Sequence, residues 1–320
     1  MKVEARLSRN LDRLKKALRL DENDDMIVRR FVALGQPCAL IYIDGMSGGD
    51  AMAQHVMRPL LASTESLSGA QARALALEKL IEITELKTSD NLEELVQAVM
   101  NGQSALLMDT VDRAVLMDTR SYVRRSVSKP VNESVVVGPH EAFNESLRDN
   151  LTLLHRMLRT PRLLTKTLWV GTEISTQVSL CWLDGVCPQE TLDELEKRVG
   201  AAAVDCVMSG GMLSQLIEDN PWSPFPQVLL TERPDRAVSF LLEGQALLLR
   251  DGSPFALTLP IGLWHFFHAP DDSGMRWQYG SFSRVVRLFG AACALLLPAV
   301  FLALVLFSPG AMPMTLLTSV

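Results

Sequence analysis

The chain has 320 residues, enough for two ordinary domains, with 48% hydrophobic and 21% charged residues and a net charge of −6. An acidic balance argues against a general nucleic-acid binder, which carries a basic surplus. The five cysteines, Cys38, Cys181, Cys187, Cys206 and Cys293, are odd in number and form no C-x-x-C, so they read as reduced thiols and not as a disulfide framework.

In chain order, Leu7, Leu11, Leu14 and Leu18 recur at helical spacing among Arg6, Arg9, Arg13, Lys15, Lys16 and Arg19. A basic amphipathic helix can lie on a membrane surface; the plainer reading is a solvated helix packed by its leucine stripe. An acidic run, Asp21, Glu22, Asp24 and Asp25, follows it.

Two passages then repeat one pattern. Ala39 to Asp44 is an apolar strand ending in Asp44-Gly45, and Val178 to Asp184 ends in Asp184-Gly185. A helical stretch follows each, Ala51–Leu61 and Glu190–Val199. A Gly-Gln turn, Gly102-Gln103 or Gly244-Gln245, then opens a hairpin, Ala105–Asp109 with Ala114–Asp118 and Ala246–Arg250 with Phe255–Leu259. Asp-Gly is a turn signal, and strands alternating with helices predict layered α/β units. The expected fold class is α/β: two related tandem α/β units followed by a transmembrane helix. The connector from Arg125 to Pro161 is expected to hold a short strand at Val135–Val137 and a helix from Glu141 to Leu158, whose Phe143, Leu147, Leu151, Leu154 and Leu158 keep a helical period.

Pro221 to Asp235 reads PWSPFPQVLLTERPD. Its prolines predict an extended entry, Val228–Leu230 a short strand, and Pro234 with Asp235 the first turn of a helix. Further on, Leu288 to Phe307 is 20 residues without charge, a length that spans about 30 Å, the thickness of the bilayer hydrocarbon. Pro298 inside it is tolerable in a membrane helix. All 31 basic and 37 acidic residues precede Leu288. With Arg276, Arg284 and Arg287 on one side and no charge on the other, the positive-inside rule places residues 1–287 in the cytoplasm.

Catalytic and metal signals are weak. Gly45-Met46-Ser47-Gly48-Gly49 fits the G-x-S-x-G of a hydrolase elbow, but no oxyanion motif accompanies it, and the second copy has Cys187-Pro188 at that place. His265 and His268 with Asp271 and Asp272 fall short of a zinc set; with Trp264 and Trp277 they suit an interfacial belt ahead of the membrane helix. No dinucleotide, P-loop or H-E-x-x-H motif is present, so no cofactor, metal or catalytic residue is expected.

Several passages together carry a resemblance: Asp24-Asp25-Met26-Ile27-Val28-Arg29, Tyr42-Ile43-Asp44-Gly45, Arg125 with Pro130 and Glu133, Gly138-Pro139-His140-Glu141-Ala142-Phe143-Asn144-Glu145-Ser146-Leu147, Asn150, Phe225-Pro226-Gln227 and Thr231-Glu232-Arg233-Pro234-Asp235. In this order they resemble the A subunit of spore germinant receptors, the GerA family. Histidines stand at 140 and 155, where the family pattern has arginines. The resemblance implies a spore inner-membrane subunit that couples nutrient detection to ion release. It would form homo-oligomers and assemble with a transporter-like B subunit and a lipoprotein C subunit, and would have no catalytic activity. It also implies further membrane helices, so the expected division is 1–125, first cytoplasmic α/β unit; 126–283, connector helix and second unit; 284–320, transmembrane helix and truncated start of the membrane region. The alternatives are the family's sporulation paralogue, acting in spore ion or small-molecule release, and a membrane-anchored serine hydrolase using Ser47. Nutrient pockets are mostly apolar with a few convergent polar groups, whereas Glu133, Glu141, Glu145, Glu232, Arg233 and Asp235 suit paired contacts. They are expected to make assembly or inter-unit contacts. Leu288, Pro298 and Phe307 mark the transmembrane segment, whose partner is membrane lipid.

Overall fold

The first Asp-Gly passage folds into a five-stranded sheet. The strands are β1 (Met26–Ala33), β2 (Gln36–Ile43), β3 (Leu86–Ser89), β4 (Ser104–Met108) and β5 (Ala114–Met117), in the order β1-β2-β4-β5-β3. The second passage gives β6 (Leu163–Val170), β7 (Thr176–Leu183), β8 (Leu229–Thr231), β9 (Ala246–Arg250) and β10 (Ala256–Leu259), in the order β6-β7-β9-β10-β8. Every neighbouring pair in both sheets is antiparallel. The two sheets share one connectivity, so the chain contains two related tandem α/β units. This computed structural model describes residues 2–63, 77–121, 130, 132–133, 135, 138–220, 222–223, 226–269, 272 and 275–307.

Helices cover both faces of each sheet. In the first half, α1 (Leu7–Ala17) and α4 (Leu92–Met100) lie on one face; α2 (Gly49–Met52), a π-helical turn (Ala53–Met57) and α3 (Arg58–Ala62) lie on the other. In the second half, α5 (Leu147–Met157) and α8 (Pro234–Glu243) cover one face, α6 (Gln189–Ala201) and α7 (Gly210–Ile217) the other. A strand covered on both sides must be apolar at consecutive positions. That is why Ala39-Leu40-Ile41 in β2 and Leu247-Leu248-Leu249 in β9 are all at most 1% exposed. The leucine stripe of α1 is likewise buried, with Leu7, Leu11, Leu14 and Leu18 at most 8% exposed. At about 1.5–3 kcal/mol per buried leucine, that stripe belongs to the core and not to a membrane surface.

The repeat runs deeper than strand order. Asn10 in α1 and Asn150 in α5 are both buried. Asn10 Nδ2 donates to the Glu4 carbonyl at 2.6 Å and its Oδ1 accepts from the Glu4 amide at 2.9 Å; Asn150 does the same with Asn144, at 2.7 and 2.8 Å. The Leu7 amide donates to Asp109, the Leu147 amide to Asp251. Val3 N–H reaches the Asp90 carbonyl as Phe143 N–H reaches that of Glu232. Residues 141–157 are therefore the opening element of the second repeat and not only a connector.

Local boundaries differ in a few places. The helix expected from Glu141 starts at Leu147: the Phe143 amide is bonded to the Glu232 carbonyl, Asn144 is held in the asparagine clasp, and Ser146 Oγ caps the Asp149 amide. The short strand expected at Val228–Leu230 is β8, one residue later. Of the strand expected at Val135–Val137, Val136 and Val137 lie outside the described residues.

Both α/β halves pack into one compact unit, Met1–Glu133 with His140–Ile261. Ser134–Pro139 and Gly262–Val320 form a second. In that second unit a 3-10 turn, Leu263–Phe267, precedes α9 (Trp277–Phe307), which contains Pro298.

Candidate functional site

Polar chemistry concentrates in two places in the large unit. The first is a knot around Thr231-Glu232-Arg233-Pro234-Asp235. β8 delivers Thr231, and Pro234 starts α8, so the two intervening positions, Glu232 and Arg233, make the bend. Glu232, 6% exposed, accepts through Oε1 from the Asn132 amide and from the Glu133 amide at 2.8 Å. Glu133 answers: its Oε2 accepts from Thr231 Oγ1 at 2.5 Å and from the Glu232 amide at 3.3 Å, and its Oε1 pairs with Arg236. Arg233 is only 1% exposed, the bulkiest fully buried side chain among the described residues. Its guanidinium grips Asp235 at two points, 3.1 and 2.7 Å, and donates to the Glu133 carbonyl at 3.3 Å. A buried charge survives only with such partners, and the planar guanidinium matches a carboxylate in a way an ammonium does not.

Four of the six singled-out charges therefore meet in this knot, which ties Asn132-Glu133 to the second α/β half. Glu141 stands apart, paired with Arg156 of α5 at the surface. Glu145 is exposed, and its carbonyl, not its carboxylate, makes the contact, accepting from Gly252 at 2.7 Å.

The second place is the seam between the halves, which sequence reasoning missed. Asn23, 2% exposed, donates from Nδ2 to the Leu163 carbonyl at 3.1 Å and accepts from Thr165 Oγ1 at 2.8 Å. The Asp24 amide donates to the Thr165 carbonyl, and Asp24 Oδ2 accepts from the Thr167 amide at 2.7 Å. This loop thus covers the free edge of β6. Asp25 lies 3.0 Å from Nε2 of the fully buried His155. The Asp-Gly turns reach across reciprocally: Asp44 pairs with Arg148 of α5, and Asp184 with Arg19 at 2.7 Å. Gly45 has φ +82°, and a Cβ there would collide with Thr152 Oγ1 of α5, so glycine is required both by the turn and by the close approach of the other half. The acidic run at 21–25 was the available signal, but charge alone does not name its partner.

Ser47 is buried and donates from Oγ to the Gly102 carbonyl at 3.0 Å. Its proton is held by a backbone carbonyl that ties the Asp-Gly turn to the Gly-Gln turn. Among the described residues no three His, Cys, Asp or Glu side chains gather to hold a metal. All five cysteines are free thiols. Burial pushes the Cys38 thiol up to about 11, and burial together with the nearby Asp25 charge raises Cys181 further.

In the small unit, α9 is long and apolar enough from Trp277 to Leu304 to cross a membrane, with a mean hydropathy of 2.2 over its most apolar 18-residue stretch. No residue of that stretch is buried, and Leu295, Leu297 and Phe307 are 79%, 63% and 83% exposed. Asp272, 3% exposed at its side chain, pairs with Arg284 at 3.2 Å and with Arg287, and accepts from the Ala269 amide. Burial works to raise its carboxyl, but the hydrogen bonds from Arg287 and Arg284 outweigh it and hold it below the ordinary carboxylate range.

The family model described as Bacillus/Clostridium GerA spore germination protein matches residues 12–320. The chain belongs to the GerA family. Among its GerA relatives, spore germination protein B1 of Bacillus subtilis (strain 168) is 35% identical, over 100% of this chain and 66% of that protein. Spore germination protein GerLA of Bacillus cereus is 31% identical, over 98% of this chain and 64% of that protein. The chain thus spans just under two thirds of the length of these relatives. It also matches the crystal structure of the N-terminal domain of the A subunit of the Bacillus megaterium spore germinant receptor GerK3. That likeness has a TM-score of 0.64 at 27% identity and covers 82% of this chain and 98% of that one. The tandem α/β architecture is the one that GerK3 A-subunit domain shares.

Proposed function

We propose that this protein is an A-type subunit of a spore germinant receptor, coupling nutrient detection to ion release at the start of germination. The likeness to the GerK3 A-subunit domain over 82% of the chain carries this reading. The apolar helix α9 and the arginines before it support a place in the spore inner membrane with residues 1–287 on the cytoplasmic side. Partners on this reading are a transporter-like B subunit, a lipoprotein C subunit and further copies of the chain.

The charged knot at Glu133, Glu232, Arg233 and Asp235 is proposed to hold the domain in the shape that assembly needs, with the half-buried Glu141 and the exposed Glu145 offering further assembly contacts. The test is made on spores with the gene deleted and restored. Loss of ion release to a particular set of nutrients, recovered on restoration, is the expected result. A release defect whatever the trigger would favour the sporulation paralogue. Unchanged release to every nutrient would refute both. For orientation, a cysteine placed near Gly49 should resist an impermeant maleimide added outside intact cells; labelling there would reverse the topology.

A further inference from the structure

The small unit contains an apolar surface that α9 by itself does not explain. Leu263, Trp264 and Phe266 of the 3-10 turn are 61%, 65% and 43% exposed. On the first turns of α9, Trp277, Tyr279 and Phe282 are exposed as well. We propose that the Leu263–Phe267 turn lies in the lipid headgroup layer, as an in-plane anchor beside the membrane helix. The proposal rests on the reading of α9 as a bilayer-crossing helix.

Depth is set by one contact. Arg287 donates from Nη1 to the Phe267 carbonyl, and the next residue, Leu288, begins the uncharged run. The turn is thereby pinned level with the point where charge gives way to hydrocarbon-length apolar sequence. Trp277, Tyr279 and Phe282 sit some 6–11 residues earlier in the helix, about 9–17 Å toward the water side. Tryptophan, apolar at one end and polar at the other, is at home at that boundary, where the turn holds Trp264.

The polar groups around the turn are already prepared for such a place. Backbone leaving bulk water must be paired, and the His265 amide donates to the Gly262 carbonyl while the Gly262 amide donates to His265 Nδ1 at 3.0 Å. Asp272 is buried between Arg284 and Arg287, so its carboxylate is paired. Gly280 lets this loop lie on the helix, since a Cβ would come within 3.0 Å of the Asp272 carbonyl. Lipid is favoured over a protein partner because Arg287 holds the exposed Leu263, Trp264 and Phe266 at the level where the uncharged, exposed run of α9 begins.

The experiment uses the full chain in vesicles of phosphatidylcholine and phosphatidylglycerol. The emission of Trp264 is taken as the difference between the chain and its Trp264→Phe variant. Trp222, 92% exposed in the large unit, serves as the water reference through Trp222→Phe. Maleimide labelling of Cys293, read by mass spectrometry, reports on α9 itself. The expected result is a Trp264 component quenched by lipids brominated near the headgroup end and several-fold less sensitive to acrylamide than Trp222, with Cys293 protected. If Cys293 is protected while Trp264 responds to acrylamide as Trp222 does, the anchor is refuted and the membrane helix stands. Shielding of Trp264 from both quenchers would mean a protein cover and would also refute it. Labelling of Cys293 would overturn the membrane reading of α9, and the anchor with it.

Discussion

The paired asparagine clasps make a sharp prediction, because one device is used twice. Replacing Asn150 by leucine keeps the volume but removes the partner of both backbone groups of Asn144, bonded at 2.8 and 2.7 Å. An unsatisfied buried polar group costs about 1–3 kcal/mol; Asn144 is half-buried, water can reach it in part, and the low end applies to each group. The local loss is then about 2 kcal/mol, which corresponds to roughly 30-fold faster amide exchange. Asn10→Leu removes the same two bonds from Glu4, at 2.9 and 2.6 Å, so the effect should be equal and confined to the other half. Hydrogen exchange of the full chain, resolved at the Glu4 and Asn144 amides, is the assay. Asn10→Leu should expose Glu4 and leave Asn144 protected, and Asn150→Leu the reverse. If both variants leave both amides protected, or if each loosens both halves equally, the clasps are not equivalent local devices and the deep repeat is wrong.

Other outcomes follow from particular contacts. Arg233→Ala strands Asp235 and the Glu133 carbonyl; breaking a buried pair costs about 3–5 kcal/mol, and since Asp235 keeps 27% exposure the expected loss is near 3, a fall of roughly 6–12 °C in the Tm of the large unit by thermal melting. Arg233→Lys should recover only part of it, because an ammonium cannot make the two-point grip. In spores, Arg233→Ala should lower the amount of assembled receptor for every nutrient alike; normal assembly with altered nutrient choice would mark the knot as a ligand site. The depressed Asp272 carboxyl contributes stability that is present above its unfolded pKa, near 4, and is lost as pH falls through its lower folded value. Protection of the Ala269 amide should thus hold from neutral pH down to about 4 and fail below it, and should be weak at every pH in Asp272→Asn. With its thiol near 11, Cys38 is only about one part in a thousand thiolate at pH 8. Maleimide on the native chain should therefore spare Cys38 and Cys181 and mark Cys187 and Cys206, with all four reacting after unfolding.

How much of this could be read without coordinates depends on the range of the interaction. Apolar runs such as Ala39–Ile43 and Ala246–Leu249 announce themselves because a strand buried on both faces needs consecutive apolar residues, and Asp-Gly or Gly-Gln marks where each run must turn. The apolar helix α9 was legible for a similar reason: a bilayer demands about 20 uncharged residues, and Leu288 to Phe307 supplies that length. These are one-dimensional signals. The true start of α5 was not among them, since a helical period at Phe143 and Leu147 cannot reveal that Phe143 lies ahead of the helix, its amide bonded to Glu232. Nor was the equivalence of α1 and α5, which rests on matched long-range contacts such as the asparagine clasps and the Leu7–Asp109 and Leu147–Asp251 bonds. The seam was hidden most completely. Asn23 meets Leu163 across 140 positions, and Glu232 meets Glu133 across 99. Composition could say that these charged and polar groups need partners, because desolvation without one is costly. Which partner each takes depends on how two twisted sheets and their helices come to lie side by side, and that is decided only when the chain has packed.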